Sequence, residues 1–297
     1  MVKAKLFHKK GEQKIGYSDI DCICRLQDGR IAICADRSIQ IYSYSNNIFI
    51  KTISIEISKK PIKFQYLTQL SNSLLLTAYS SKIVIVTVTK DSYIINDTIS
   101  TQFKNISQII EISNYRLGMC GDNPFINIYN GIRPYNKMIA LYNNCLYVRA
   151  ILEIKEKNAI IAAINGRLQI WNLISRAIET IIDEVNCTNC NCLMKIANNK
   201  IIVGGYNAIS VIDLKNYIVN VEKIEGEVES FIELRDGEIA MSTVGKKSQL
   251  FKYNVLLHKL SIVSDNIHPL SQNGKLIVYD TSTFIVKENN TLIIWNY

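Results

Sequence analysis

The sharpest cluster of reactive side chains is Cys187-Thr-Asn-Cys190-Asn-Cys192. Two thiolates separated by two residues can share a zinc ion, and a third can join them. A fourth ligand is not in sight, and Cys192 aligns with Cys22 as a core position of a repeated unit described below. These cysteines therefore read as packed or partly exposed thiols, with no metal assigned. The histidines are His8, His258 and His268, and they lie outside any nucleophile or metal motif. No Gly-rich phosphate loop opens a helix, and no His-x-x-x-His pair occurs. Paired acids such as Glu227 and Glu229 fit solvated connector residues better than a catalytic dyad. The expectation is a protein without catalytic residues and without a cofactor.

What positions these side chains is a repeat. Asp28 to Tyr44 reads Asp-Gly-Arg-Ile-Ala-Ile-Cys-Ala-Asp-Arg-Ser-Ile-Gln-Ile-Tyr-Ser-Tyr, and weaker copies recur to the C-terminus. Asp28-Gly29 offers the positive backbone angles of a tight hairpin turn, and apolar Ile31 to Cys34 follows as a short strand. Asp36-Arg37 turns the chain again, and Ser38 to Tyr44 forms a partner strand ending in a large aromatic. Aligned on Tyr42, the copies place Val86, Tyr129, Trp171, Ile212, Phe251 and Trp295 at the same point, in steps of 39 to 44 residues. The preceding turn returns at Gly29, Ser73, Tyr115, Asn158, Asn199, Gly237 and Ser282. A period near 42 residues matches units of four strands.

Seven units result, at about 20–55, 63–99, 106–142, 148–182, 190–221, 228–263 and 275–297. Their second strands, such as Ile160-Ile-Ala-Ala163 and Ile201-Ile-Val-Gly204, are apolar on both alternating faces, so both faces must be covered. No amphipathic helix long enough for a parallel crossover intervenes. Antiparallel four-stranded sheets stacked face to face meet both conditions. The last unit stops after three strands, and the alternating segment 4–9 is expected to supply its missing outer strand. The whole of 1–297 is then a single domain.

The 48% of apolar residues is ample for a core. No run approaches the roughly 18 apolar residues of a membrane helix, and the N-terminus has no apolar signal core. Eight dispersed cysteines in such a chain fit reduced thiols, hence a cytoplasmic or nuclear setting. The net charge of +8 is spread over the sequence, with only short pairs at Lys9-Lys10, Lys59-Lys60 and Lys246-Lys247, as on a solubilising surface.

Taken together the residues resemble degenerate WD-type (WD40-like) repeats over most of the chain. Trp171-Asn172 and Trp295-Asn296 stand where the Trp-Asp signature falls, and Ile212-Asp213 keeps the acid. Asp36 and Asp122 resemble the Asp of the family's tight turn, while its Gly-His pair is missing throughout. The resemblance implies an all-β, seven-bladed β-propeller of four-stranded antiparallel blades, closed by the N-terminal strand completing the last blade. It also implies a non-catalytic scaffold or adaptor that binds protein or peptide partners.

The partner-binding surface is expected where second-to-third-strand turns and inner-strand entries emerge together, because rigid strands hold both there. That surface contains Arg37, Lys82, Asn123, Pro124, Tyr147, Arg149, Arg167, Tyr206, Lys246 and Lys247. Arg and Tyr are favoured interface anchors. The alternative is a nucleic-acid- or ribonucleoprotein-associated propeller, motivated by net charge and the cationic loops. At the other end of the inner strands, Arg25, Gln69, Glu111, Glu153, Lys195 and Glu233 occupy one level, where alternate signs suit pairing between neighbouring sheets.

Overall fold

In the computed structural model the described residues are all of the chain except 1–7, 17–18, 47, 114, 143–146, 165, 184, 186–187, 235–237, 245–247, 255–258, 268–275, 281, 289 and 297. Among them the regular structure is strand, apart from one short 3-10 turn at Lys155–Lys157. The chain forms two compact units. One comprises Met1–Thr77, Val84–Thr98 and Glu229–Tyr297; the other comprises Ala78–Ile83 and Ile99–Val228.

The first four expected units fold as separate four-stranded sheets. In the first sheet Cys22–Arg25, Ile31–Ala35, Ser38–Ser45 and Ile48–Glu56 pair in order. The next three four-stranded sheets follow the same order over 64–100, 106–142 and 150–182. All seven aligned anchors, from Tyr42 to Trp295, are buried, none exposed by more than 8%. Five of the seven turn residues ahead of them take left-handed φ values: Gly29 +85°, Ser73 +67°, Tyr115 +54°, Asn158 +48° and Asn199 +60°. Gly237 lies outside the described residues.

The expected count of seven separate sheets is corrected. Among the described residues six sheets form, five of four strands and one of six strands, and the six-stranded sheet takes up the expected units 190–221 and 228–263. Val219–Glu233 runs as one 15-residue strand where a break between units was expected. The cause is local. Asn207 (φ +60°) and Gly226 (φ +95°) hold the turn and the following connector close together. Tyr206 then pairs with Glu227, and the Gly226 N–H donates to Asn207 Oδ1 at 3.3 Å.

The strand that completes the last sheet is also shifted. His8–Lys14, not 4–9, pairs antiparallel with Thr291–Asn296, and residues 4–7 lie outside the described residues. The shift places Ile15, only 2% exposed, among Leu292, Ile294 and Phe49. It also lets Gln13 reach the neighbouring first sheet, where its Nε2 donates to Phe49 O (2.9 Å) and its Oε1 accepts the Phe49 N–H (2.7 Å).

Each unit packs its own core between sheets. In the first unit Ile23, Ile31, Ile33 and Tyr42 lie against Ile285, Leu292 and Ile294. In the second, Ile126 and Ile128 pack on Ile151, Ile160 and Ala162, and the far side of that sheet packs Ile161 and Ile170 on Ile201 and Val203. Two residues before five of the anchors stand buried polar side chains: Gln40, Asn127, Gln169, Ser210 and Gln249. Gln40 Nε2 donates to Ser38 Oγ and Ser54 Oγ, Gln169 Oε1 accepts from Trp171 Nε1, and Ser210 Oγ donates to Val185 O.

Candidate partner-binding face

Strand register decides which residues can share a surface. Cys22 pairs with Cys34 and Ala150 with Ala163, so each inner strand begins beside the turn between the second and third strands. In the first sheet that turn is Asp36-Arg37. The following connector folds onto it, with the Ile57 and Ser58 N–H groups donating to Arg37 O and the Ile62 N–H to Asp36 O at 2.7 Å. Arg37 is exposed and lies 3.7 Å from Glu56, in the first compact unit.

The other described candidates belong to the second unit, and four of them come together. The Val148 N–H donates to Gly121 O (3.0 Å), which seats Tyr147 and Arg149 against the turn bearing Asn123 and Pro124. The Arg149 guanidinium lies 4.7 Å from the centre of the Tyr147 ring. Asp122 fixes the floor by accepting the Lys104 N–H (3.1 Å) and Asn105 Nδ2 (3.1 Å). Asn123 Oδ1 accepts the Phe125 N–H at 3.1 Å. A side chain at Gly121 would collide with Asn105 O, so the close approach requires glycine there.

Arg167 is also at this end of its strand but is paired, 3.3 Å from Asp183. Exposed pairs like this one and Arg37–Glu56 contribute only about 0–1 kcal/mol, yet they reduce the cationic character that the sequence implied. Lys82 opens the strand Lys82–Val88, whereas Tyr206 lies inside the continuous strand Lys200–Asp213; both are exposed, Tyr206 by 49%. Lys246 and Lys247 lie outside the described residues.

A further set of residues, which the sequence analysis passed over, ties consecutive sheets together at this end. Asp21 Oδ2 accepts the Phe64 N–H at 3.0 Å, Gln108 Oε1 the Ile151 N–H at 2.7 Å and Ser230 Oγ the Leu276 N–H at 3.2 Å. Within the six-stranded sheet, Asn191 Nδ2 donates to Glu227 in the same way. All four stand 21 residues ahead of their anchor, so a polar residue recurring there was the available signal. Burial raises the Asp21 carboxyl above its usual range, and the Phe64 N–H and the Lys287 ammonium only partly offset this.

At the opposite end of the inner strands Gln69, Glu153 and Lys195 each reach the preceding sheet. Gln69 Oε1 accepts the Gln27 N–H (2.7 Å), Glu153 Oε1 the Ser113 N–H (2.8 Å), and Lys195 pairs with Glu156 (2.6 Å). Arg25 lies 5.8 Å from the Tyr279 ring centre.

Among the described thiols, those of Cys22, Cys34, Cys120 and Cys190 are buried. Cys187 lies outside the described residues, Cys190 is buried, and Cys192 Sγ points at Gly204 O and Val228 O. Among the described residues no His, Cys, Asp and Glu side chains group as metal ligands. Burial pushes the Cys34 and Cys120 thiols well above their ordinary pKa, which disfavours the nucleophilic thiolate.

The chain repeats four-stranded antiparallel pairing with buried anchors and an N-terminal strand that completes the last sheet. It superposes over 100% of this chain and 94% of the other on a chain from the structure described as the crystal structure of the mitotic checkpoint complex, with a TM-score of 0.79 and 12% identity. The WD40 β-propeller domain of Doa1 matches 99% of this chain and 98% of its own, with a TM-score of 0.78 and 12% identity. The fold is that of the WD40 β-propellers. No family model and no curated protein matches the sequence.

In this WD40 fold the residue after three of the anchors, Asn130, Asn172 or Asp213, caps the next turn, and that explains why Asn serves where the signature has Asp. Asn172 Oδ1 accepts the Ile174 and Ser175 N–H groups at 2.8 and 2.9 Å, while its Nδ2 donates to Glu179. Asp213 Oδ1 accepts the Lys215 N–H at 2.8 Å in the same way. A neutral carbonyl oxygen satisfies the turn as well as a carboxylate does. No helix among the described residues is long and apolar enough to cross a membrane.

Proposed function

We propose that the protein is a non-catalytic interaction scaffold or substrate-recruiting adaptor, working inside the cell in the cytoplasm or nucleus, where thiols stay reduced. It binds protein or peptide partners through the ends of its strands that carry the turns between second and third strands. The observation that carries this reading is the nook of Asn123, Pro124, Tyr147 and Arg149, a rigid Arg–Tyr pair seated by the Val148-to-Gly121 bond and floored by Asp122. Fixed aromatic and guanidinium groups lose little entropy on binding and can bury wide surface. Enzymatic roles find no support in the chemistry described above.

The test is affinity capture from the native cell with the parent chain and with Tyr147→Ala/Arg149→Glu. Partners that vanish with the double variant, at unchanged melting temperature, support the reading. Capture that is indifferent to both substitutions refutes it. A partner whose binding collapses with added salt and with nuclease treatment assigns the face to nucleic acid instead.

A further inference from the structure

The opposite ends of the strands in the second compact unit show a different pattern. Each outer turn, between third and fourth strands, lifts an isoleucine into solvent: Ile132, Ile174 and Ile218 are 50%, 77% and 57% exposed. The turns are held at one level because each hangs from the preceding hairpin. The Gly131 N–H donates to Tyr115 O, Leu173 N–H to Asn158 O and Leu214 N–H to Asn199 O, at 2.6 to 3.0 Å. Neighbouring corners also touch, with Lys157 Nζ 3.1 Å from Tyr217 OH.

Beside these isoleucines stand exposed cations, Arg133, Lys137, Lys155, Arg176 and Lys215. The two exposed acids of this end are already engaged, Glu156 by Lys195 and Glu179 by Asn172. At the other end of the same sheets acids accompany the cations: Asp122, Asp183, Glu225 and Glu227 stand with Lys104, Arg149, Arg167 and Lys223. The apolar groups are single protruding tips rather than the walls of a groove, so they suit a surface they can sink into better than a peptide that needs a cleft.

We propose that this end of the unit docks on an anionic lipid bilayer, the isoleucines entering the headgroup boundary and the flanking Lys and Arg side chains engaging acidic headgroups. The surface is separate from the partner-binding face and does not depend on it. Docking would leave that face turned toward the aqueous phase and its partners.

The test is co-sedimentation of the full chain with vesicles of phosphatidylcholine alone and with about 30% phosphatidylserine. Binding is expected only to the anionic vesicles and is weakened by salt. Ile132→Ser/Ile174→Ser/Ile218→Ser should lower it by at least about tenfold at unchanged melting temperature, since each loses a membrane-inserted apolar group. Ile181→Ser, on an exposed outer-strand residue at the far end, should leave it intact. Failure to bind the anionic vesicles, or equal loss in both variants, overturns the proposal. Polyglutamate binding that equals vesicle binding and survives the triple substitution also overturns it, and assigns the surface to acidic proteins.

Discussion

Replacing Gln13 by alanine removes the two hydrogen bonds that join the N-terminal strand to the first sheet, those to Phe49 O and from Phe49 N–H. Phe49 is 3% exposed, so water cannot fully take over its backbone groups. A hydrogen bond is worth about 0.5–1.5 kcal/mol net, and leaving its buried partner unsatisfied costs at the upper end of that range or beyond. The pair therefore predicts a loss of roughly 1–3 kcal/mol. For a chain of this size that corresponds to a fall in Tm of about 2–8 °C. Guanidinium unfolding of the parent and of Gln13→Ala measures it, with Lys9→Ala as control. Lys9 lies on the same strand but makes an exposed pair with Glu12, so its loss should stay below about 0.5 kcal/mol. If Gln13→Ala costs no more than Lys9→Ala, the strand is held by its ladder with Thr291–Asn296 alone and the account of the join is wrong.

Tyr115 occupies a left-handed turn position (φ +54°) with its ring 63% exposed, whereas the matching positions hold Asn158 and Asn199. Tyr115→Asn should stabilise by about 0.5–1 kcal/mol, because asparagine tolerates that backbone region and little packing is lost; an unchanged or lower unfolding midpoint counts against the strain. Asp21, raised by burial above its ordinary 3.8, contributes stability that is full below that value and fades as pH rises through its folded-state pKa. Asp21→Asn keeps an acceptor for the Phe64 N–H and cannot titrate. Its stability relative to the parent should accordingly rise between about pH 3 and pH 7, and a flat difference in urea unfolding across that range would sink the assignment.

The period, the strands and the turns were legible in the sequence because each is local. An apolar run between turn residues specifies a strand whatever lies beside it, and Ser73, Tyr115, Asn158 and Asn199 adopt the left-handed angles their turns demand. The anchors are buried for the same reason: alternation fixes which face of a strand is apolar. Of the candidate face, the positions of Arg149, Tyr147 and Asn123 at strand ends could be read, since hairpin order determines the end at which a turn emerges.

What only the tertiary structure decided are the partners far apart in the chain. Nothing in His-Lys-Lys-Gly-Glu-Gln-Lys sets its register, because a polar strand pairs almost equally well one or two residues along; Ile15 and the grip of Gln13 on Phe49 choose among the registers. The pairing of Arg37 with Glu56 and Arg167 with Asp183 likewise depends on an outer strand ending beside the turn. The merging of two units into one six-stranded sheet turns on backbone angles at Asn207 and Gly226. Composition permits those angles but does not require them, and the pairing of Tyr206 with Glu227 forms only once both segments are in place.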